Sequence, residues 1–392
     1  MTALTVIEPI ATPSPTTSAV ARPLLNFWMF GAPYLVSIIV FFVMIKNDNR
    51  IYAPILPAVA TAAAATVTTL IARRLPEINR DVAMFMLVYG AIGLFSVLLN
   101  QNNDAFALRK IGLPLACMAP AVFRYYTTGR QMLPFLILLA VVAQVFTTET
   151  SDVEAGGLLS TDSPYESILS VTFGALAVWL VASSRLTLAA LSGVACVFFF
   201  KRNAMGAALV VTMVVLPVQW LLRERATRLL QRLLAGTIVL MGLLAFYLSD
   251  LFSFIAVNFV RDYDAAYISV GRAAIYDLII HDYERSSLRE QVLGHGAGTV
   301  EHLVTTAPTL PVGPLLAHDE YLSWLYDFGV VGLIVLLVML LRLGRSGNAA
   351  VAVLLFMVIA MTAENFFLVS FNCLAVFTLL STHMVSRRAG DT

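Results

Sequence analysis

The sequence predicts an all-α polytopic membrane protein with about twelve transmembrane helices and one large extramembrane loop that contains short helices. Of its 392 residues, 59% are hydrophobic and only 12% are charged, and the mean hydropathy is +0.84. The surface of a soluble domain needs about twice that charge density. The apolar residues form segments of roughly 20, the length of a helix that crosses the hydrocarbon layer. One long polar interval, residues 255–320, separates them.

This polar interval divides the chain. Residues 1–23 are rich in Pro, Thr and Ser and lack the features of a secretory signal, so we expect a flexible cytoplasmic tail. Residues 24–254 hold nine predicted helices, residues 321–386 hold three, and residues 387–392 form a second cytoplasmic tail. The predicted spans are residues 24–45, 52–72, 81–99, 108–126, 131–148, 167–184, 186–200, 204–222, 233–254, 321–341, 348–368 and 370–386.

Basic residues are concentrated on alternate connections of the predicted bundle. With both termini in the cytoplasm, the cytoplasmic side holds 15 of the 25 Lys and Arg residues and only five of the 24 acidic residues. Because basic connections stay on the cytoplasmic side, we expect residues 255–320 to lie outside it. In a bacterium this places a multi-pass protein in the inner membrane, with the loop on the periplasmic side.

Composition disfavours several other functions. A net charge of +1 provides no basic surface for nucleic acid. The three cysteines are odd in number and lie in apolar runs, which is not a disulfide framework. His281, His295, His302 and His318 are separated by spacings that match no compact metal-ligand motif, so we expect no metal and no cofactor.

Two arginines on the predicted outer face need a particular explanation, because cations are depleted there. Arg272 opens RAAIYDLIIHDYER, whose apolar residues recur at helical spacing, as in a helix lying on the outer membrane surface. A cation is disfavoured at a helix N-terminus, and an anion held by the helix end and the guanidinium would relieve that conflict. The alternative is a solvated arginine. Arg202 follows Lys201 in a short polar break and either grips phosphate with its planar fork or snorkels.

The loop carries two further candidates. Gly294, Gly296 and Gly298 alternate in LGHGAG, and without a preceding strand they do not fit a dinucleotide-binding loop, so we expect a tight turn that supports the loop. His318 lies where the loop enters the next helix, followed by two acidic residues. Helix amides favour a neutral imidazole and the carboxylates favour a protonated one. His318 is therefore either a general base or a capping histidine.

Together, these motifs resemble the O-antigen ligase and O-antigen polymerase superfamily. The resemblance rests on KRNAMGAAL, GRAAIYDLI, LGHGAG and AHDEYLSWLYDFGVVGL, in that order in the second half of the chain. One departure is Asp319, where family members often have asparagine. The resemblance implies a metal-independent, inverting glycosyltransferase whose donor is a glycan on undecaprenyl pyrophosphate and whose acceptor is a glycan or a lipid. Arg202 and Arg272 would bind the pyrophosphate, and His318 would receive the proton of the acceptor hydroxyl.

Polymerase, ligase and transporter activities remain open. GHGAG followed by HDEYLSWLYDFGVVGL looks closer to polymerase-like members, which implies polymerisation of exopolysaccharide or O-antigen repeat units. A ligase would instead transfer the glycan to lipid A core or to protein. Either would work among membrane lipids and polysaccharide assembly proteins. A lipid-linked glycan transporter would be expected to carry ionisable residues within its spans, whereas the predicted spans are nearly free of charge.

Overall fold

The structure is a computed structural model, and the part of the chain that it describes is built almost entirely of α-helices. It describes residues 78–100, 105–127, 132–134, 136–137, 139, 141, 169–198, 202–222, 225–259, 272–307, 319–362, 367 and 370–384. The predicted N-terminal tail, the first two predicted spans and most of the fifth lie outside these residues.

The described elements follow one another with short connections or undescribed gaps. The helices are α1 (Arg80–Asn100), α2 (Ala105–Met118), α3 (Leu169–Ala182), α4 (Leu186–Phe198), α5 (Arg202–Leu222), α6 (Ala226–Phe259), α7 (Arg272–Arg285), α8 (Leu288–Leu293), α9 (Thr299–Thr306), α10 (Glu320–Leu343), α11 (Asn348–Ala360) and α12 (Ser370–Leu380). Two short strands, β1 (Tyr125–Thr127) and β2 (Thr382–Met384), pair in parallel.

Four of the described helices are long and apolar enough to cross a membrane: α1, α5, α6 and α10. They coincide with the third, eighth, ninth and tenth predicted spans. Helices α3, α4 and α11 are apolar but have only 13 or 14 residues. A helical, membrane-embedded fold is therefore supported, while the count of twelve spans and the periplasmic side of the loop stay predictions.

The helices observed at residues 108–126 and 370–386 are shorter than the predicted spans. Helix α2 ends at Met118, where a 3-10 turn and β1 follow, and α12 ends at Leu380, just before β2. Hydropathy marks both stretches as apolar but does not distinguish a helix from a short buried strand. Both predicted spans therefore extend past the C-terminal ends of the observed helices, Met118 and Leu380.

A proline inside α2 determines how this helix meets α1. Pro114 has no backbone N–H, so the carbonyl of Lys110, four residues earlier, has no helical donor. The hydroxyl of Tyr89 in α1 donates a hydrogen bond to this carbonyl at 2.8 Å. The contact satisfies a buried polar group and fixes Lys110 against α1.

Residues 272–306 fold into three helices, α7, α8 and α9, which contact α10, while α7 also contacts α6. The predicted helix that begins at Arg272 is observed as α7. Its apolar side chains Ile275, Tyr276 and Ile279 are at most 5% exposed. The sequence predicted that these side chains lie on a membrane surface. Instead, they are buried within the protein, because α6, α9 and α10 pack against α7.

Helix α10 consists of two different halves. Its backbone is non-helical at Gly329, where φ is 70° and ψ is −179°. Every residue from Glu320 to Gly329 is buried, whereas the half after Gly329 has apolar side chains that are 37–54% exposed, at Val330, Val331, Ile334, Val335 and Val338. The first half is enclosed by protein, and the second half presents an apolar face that suits lipid.

Candidate functional site

The three predicted loop glycines form a turn that lies directly on neighbouring backbone. Gly294, Gly296 and Gly298 have φ values of 87°, 119° and 80°, which residues with a Cβ rarely adopt. A Cβ on Gly294 would lie 2.2 Å from the carbonyl oxygen of Asp327, and one on Gly298 would lie 2.4 Å from the backbone of Phe106 in α2. Only glycine permits the turn to approach α10 and α2 this closely.

The turn supplies hydrogen-bond donors to the bend in α10. The backbone N–H of His295 donates to the carbonyl of Tyr326 at 3.0 Å, and that of Gly296 donates to the carbonyl of Asp327 at 3.1 Å. The hydroxyl of Ser96 in α1 also donates to the Asp327 carbonyl, at 3.2 Å. Buried carbonyls need such partners, so the loop stabilises the bent form of α10.

Replacing Gly294 by alanine is expected to lower the free energy of unfolding by about 3 kcal/mol, because the new Cβ meets rigid backbone at a positive φ. Gly242→Ala in α6 is the matched control, since its Cβ would meet nothing within 4 Å and alanine favours a helix by up to about 1 kcal/mol. Thermal unfolding of the detergent-solubilised variants measures both effects. Equal stability of the two variants would contradict the close approach.

His295 ties the turn between α7 and α8 to α10. Its ring stacks on Tyr326 with centroids 4.1 Å apart, its Nδ1 lies 3.2 Å from the Tyr326 carbonyl oxygen, and its Nε2 lies 2.7 Å from the hydroxyl of Ser286. The Tyr326 hydroxyl donates to the carboxylate of Asp282 in α7. These contacts give His295 a structural role in the loop.

A buried ion cluster joins α2, α9 and α10. The ammonium of Lys110 lies 3.3 Å from Glu301 Oε1, 3.4 Å from Glu320 Oε1 and 3.7 Å from Asp327 Oδ2, and it donates to the Ser323 hydroxyl. The charged side chains are no more than 3% exposed. Burying an unpaired charge is prohibitive, so the cation and its carboxylates stabilise one another. Among the described residues, no group of three His, Cys, Asp or Glu is arranged to hold a metal ion.

The carboxylates of the cluster also bind backbone. Asp327 accepts hydrogen bonds from the N–H groups of Gly298 and Val300, both at 3.0 Å, at the N-terminus of α9, where a helix favours an anion. Glu320 Oε2 accepts a hydrogen bond from the N–H of Phe367 at 3.2 Å. Together with the contacts of Lys110, these bonds fix the beginnings of α9 and α10 in position relative to α2.

Asp319 is the N-cap of α10 and directly precedes its candidate span. Its carboxylate accepts a hydrogen bond from the N–H of Leu322 at 2.9 Å, and its other oxygen has no hydrogen-bond partner among the described residues. Burial raises the pKa of the Asp319 carboxyl to about 8, although the backbone N–H groups of Leu322 and Tyr321 oppose the shift. Asp319 is therefore largely neutral near pH 7.

Replacing Asp319 by asparagine is expected to flatten the pH dependence of stability. Since the folded-state pKa of about 8 exceeds the ordinary value of 3.8, the bound proton stabilises the folded protein fully below about pH 4, and this contribution is lost as the pH rises to about 8. The Tm of the wild type should therefore fall more steeply from about pH 6 to about pH 8 than that of Asp319→Asn. Parallel curves for the two proteins would contradict the raised pKa. Glu284→Gln, an exposed neutralisation, should follow the wild type.

Of the predicted catalytic residues, Arg272 and His318, and the predicted pyrophosphate-binding residue Arg202, the structure describes only the side chain of Arg272. Arg272 is half-buried in the first turn of α7. Arg202 begins α5, but its side chain lies outside the described part, and so does the whole of His318. The structure neither joins nor separates these three residues, so their common pocket stays a prediction.

Lys110, Glu301 and Asp327 are not among the site residues predicted from the sequence. Two signals in the sequence point to this cluster. Ser323 and Asp327 follow Glu320 by three and seven residues, which places all three on one helix face. Lys110 is a charged residue within the predicted span 108–126. The expectation that the spans are nearly free of charge is therefore wrong at Lys110 and Asp327, both of which lie in helices and are fully buried. Glu301 gives no comparable signal, because its partner is 191 residues away.

An apolar groove lies between α1 and α10, beside the bend at Gly329. Its volume is about 240 Å³, and Leu293, at the end of α8, closes one side. The groove is lined by Ala91, Ile92, Phe95, Ser96, Leu293, Phe328, Val331, Gly332 and Val335. It therefore joins the folded loop to the part of α10 that exposes apolar side chains.

Comparison with known proteins does not assign this chain to a family. No protein-family model matches it, and a search of curated proteins found no match. The resemblance to O-antigen ligases and polymerases accordingly rests on the four quoted motifs.

Proposed function

We propose that the protein is a membrane-embedded glycosyltransferase that polymerises exopolysaccharide or O-antigen repeat units on the periplasmic face of the bacterial inner membrane. Its donor is a glycan carried on undecaprenyl pyrophosphate. The observation that carries the proposal is the docked loop. The polar residues 272–306 form a folded platform on the buried half of α10, beside helices that are apolar and long enough to cross a membrane. Such a platform suits a lipid-linked substrate with a polar head.

Arg272 provides positive charge for the leaving group. It lies in the first turn of α7, where backbone N–H groups lack partners within the helix. A helix end and a guanidinium together favour a pyrophosphate, and Arg202 would supply a second guanidinium from the start of α5. Two arginines stabilise the charge that develops on an expelled polyprenyl pyrophosphate without the help of a metal.

His318 acts as the general base in this proposal. The acceptor hydroxyl attacks the anomeric carbon, the bond from that carbon to the pyrophosphate oxygen breaks, and the hydroxyl proton passes to His318. Direct displacement inverts the anomeric centre. The raised pKa of Asp319 supports this role, because a neutral Asp319 adds no full negative charge that would keep the imidazole protonated. A neutral Asp319 side chain also resembles the asparagine that is often found at this position in the superfamily.

The groove between α1 and α10 suits the hydrocarbon part of the donor. Its lining is apolar except for Ser96, and it runs beside the exposed apolar side chains of α10. An isoprenoid tail that lies there would leave its pyrophosphate near the folded loop. Because the tail already lies in hydrocarbon within the bilayer, the groove would favour it through van der Waals packing and not through removal from water.

A defined substrate tests the proposal. The purified protein in nanodiscs is given one undecaprenyl-pyrophosphate-linked repeat unit, and the products are separated by length. A polymerase yields a ladder that a chelator does not abolish. A ligase yields no product until lipid A core or an acceptor protein is added. An absence of new glycosidic bonds under every condition would refute the proposal.

A lipid-linked glycan transporter is the second candidate, and the buried ion cluster favours it. Ionisable groups inside membrane helices commonly mark transport pathways or proton relays, and Lys110, Glu320 and Asp327 are fully buried. Against this role, the described contacts pair all three residues within the cluster, and none of them lines the apolar groove. Movement of the lipid-linked glycan across vesicles without new bonds would establish transport.

A further inference from the structure

We infer that Lys110 is a positioning residue, whose buried ammonium holds both ends of the chain segment that carries His318. The inference deepens the proposed function and rests on it, since it assigns to Lys110 the placement of the proposed general base. Lys110 itself touches no substrate in this scheme. It acts through the helices that flank residues 307–319.

The contacts of one nitrogen atom carry the inference. Helix α9 ends at Thr306 and α10 begins at Glu320, so these two helices are the stems from which the segment starts and to which it returns. The ammonium of Lys110 is 3.3 Å from Glu301 on the first stem and 3.4 Å from Glu320 on the second. Both stems are therefore bound to the same nitrogen atom of α2.

Helix α2 is a suitable anchor because its own position is well fixed. The Tyr89 hydroxyl binds the backbone of Lys110 from α1. The backbone of Gly298, at the start of α9, lies so close to the Phe106 backbone that no Cβ fits between them. The Phe106 ring also stacks on His302 of α9, with centroids 6.2 Å apart. The stem before the segment thus contacts α2 through Gly298, Glu301 and His302.

Asp327 links the same cation to the rest of the loop. It lies 3.7 Å from the Lys110 ammonium and accepts hydrogen bonds from two backbone N–H groups at the start of α9. The ammonium therefore holds α9 in two ways. It contacts Asp327, which binds the first N–H groups of α9, and it pairs directly with Glu301 within α9. A shift of Lys110 would change the separation between the stems, and a misplacement of about 1 Å in a catalytic group can reduce a rate by about 10²-fold.

Glu301→Gln is the informative variant. It keeps the size of the side chain and removes the charge that holds the first stem, while Glu320 and Asp327 stay on Lys110. Removal of Lys110 itself would leave three buried carboxylates without their cation and would test folding instead. Glu284→Gln is the matched control, because it makes the same chemical change on an exposed residue of α7.

The position of the first stem is measured without reference to activity. Spin labels on Thr306→Cys, at the end of α9, and Leu98→Cys, exposed on α1, report the distance between α9 and the bundle. The described native cysteines, Cys117, Cys196 and Cys373, are buried. We expect a distance distribution that is broadened or shifted by Glu301→Gln and unchanged by Glu284→Gln.

Transfer kinetics on the same variants then test positioning. Glu301→Gln should lower kcat by roughly 10-fold to 100-fold while KM for the donor stays within about twofold, at a Tm close to that of the wild type. An unchanged distance distribution, or a changed distribution with an unchanged kcat, overturns the inference and leaves the proposed function standing. If the wild type transfers no glycan, the proposed function fails. The distance measurement alone then supports or overturns the anchoring of the stem.

Discussion

Replacing Lys110 by methionine is expected to lower the free energy of unfolding by about 3–5 kcal/mol, which is a large part of the stability of most proteins. The substitution keeps an apolar chain of similar length and removes the cation shared by Glu301, Glu320 and Asp327. Three carboxylates then remain buried with no counter-charge. Thermal unfolding in detergent and the yield of monodisperse protein measure the loss.

Two controls make this result specific to the cluster. Arg342→Met breaks the ion pair with Asp81, whose atoms are 3.0 Å apart but whose side chains are 40% and 29% exposed, so it should cost only about 0–1 kcal/mol. Adding Glu301→Gln and Glu320→Gln to Lys110→Met should restore much of the stability, since neutral side chains tolerate burial better. Asp327 keeps its two backbone donors. A Lys110→Met protein as stable as the wild type would contradict the ion cluster.

Arg272→Ala and His318→Ala are expected to remove most glycan transfer while the protein still inserts and folds. Loss of a group that stabilises developing charge costs about 10²–10³ in kcat, and loss of a general base costs about 10²–10⁴. Arg272→Lys should retain an intermediate rate, because lysine keeps the charge but lacks the planar fork that binds phosphate through two hydrogen bonds. The measurement is the initial rate of transfer from the lipid-linked repeat unit.

The matched controls lie on α7, the helix that begins with Arg272. Arg285→Ala removes an exposed arginine from its last turn, and His281→Ala removes an exposed histidine from its middle. Both should transfer glycan at the wild-type rate. Full activity of Arg272→Ala and His318→Ala, at matched amounts of protein, would remove these two residues from the proposed site.

The membrane helices were predictable because hydropathy and length determine them locally. The apolar runs at α1, α5 and α10 begin and end within about two residues of the predicted positions, and Arg272 marks the start of α7 as expected. The ends of α2 and α12 were not predictable in this way. Their apolar residues continue into two short strands, and the pairing of β1 with β2 joins parts of the chain more than 250 residues apart.

The ion cluster could be predicted only in part, for the same physical reason. Glu320 and Asp327 share a helix face and could be recognised as buried from their position in an apolar helix. Their connection with Lys110 depends on how α2 packs against α1 and α9. That packing involves a close backbone contact at Gly298 and a hydrogen bond from Tyr89. Such contacts between distant residues leave no periodic pattern in the sequence.

The bend in α10 has a consequence for the order of assembly. The carbonyls of Tyr326 and Asp327 receive hydrogen bonds from residues 295 and 296, which belong to the loop and are synthesised before the helix. A lone α10 with this bend would enter the bilayer without those donors, and each unsatisfied carbonyl would cost several kcal/mol there, on the order of a lost hydrogen bond in hydrocarbon. The polar loop must therefore be folded and in place by the time the helix takes its final shape, so residues 294–298 act as a template for the bend in α10.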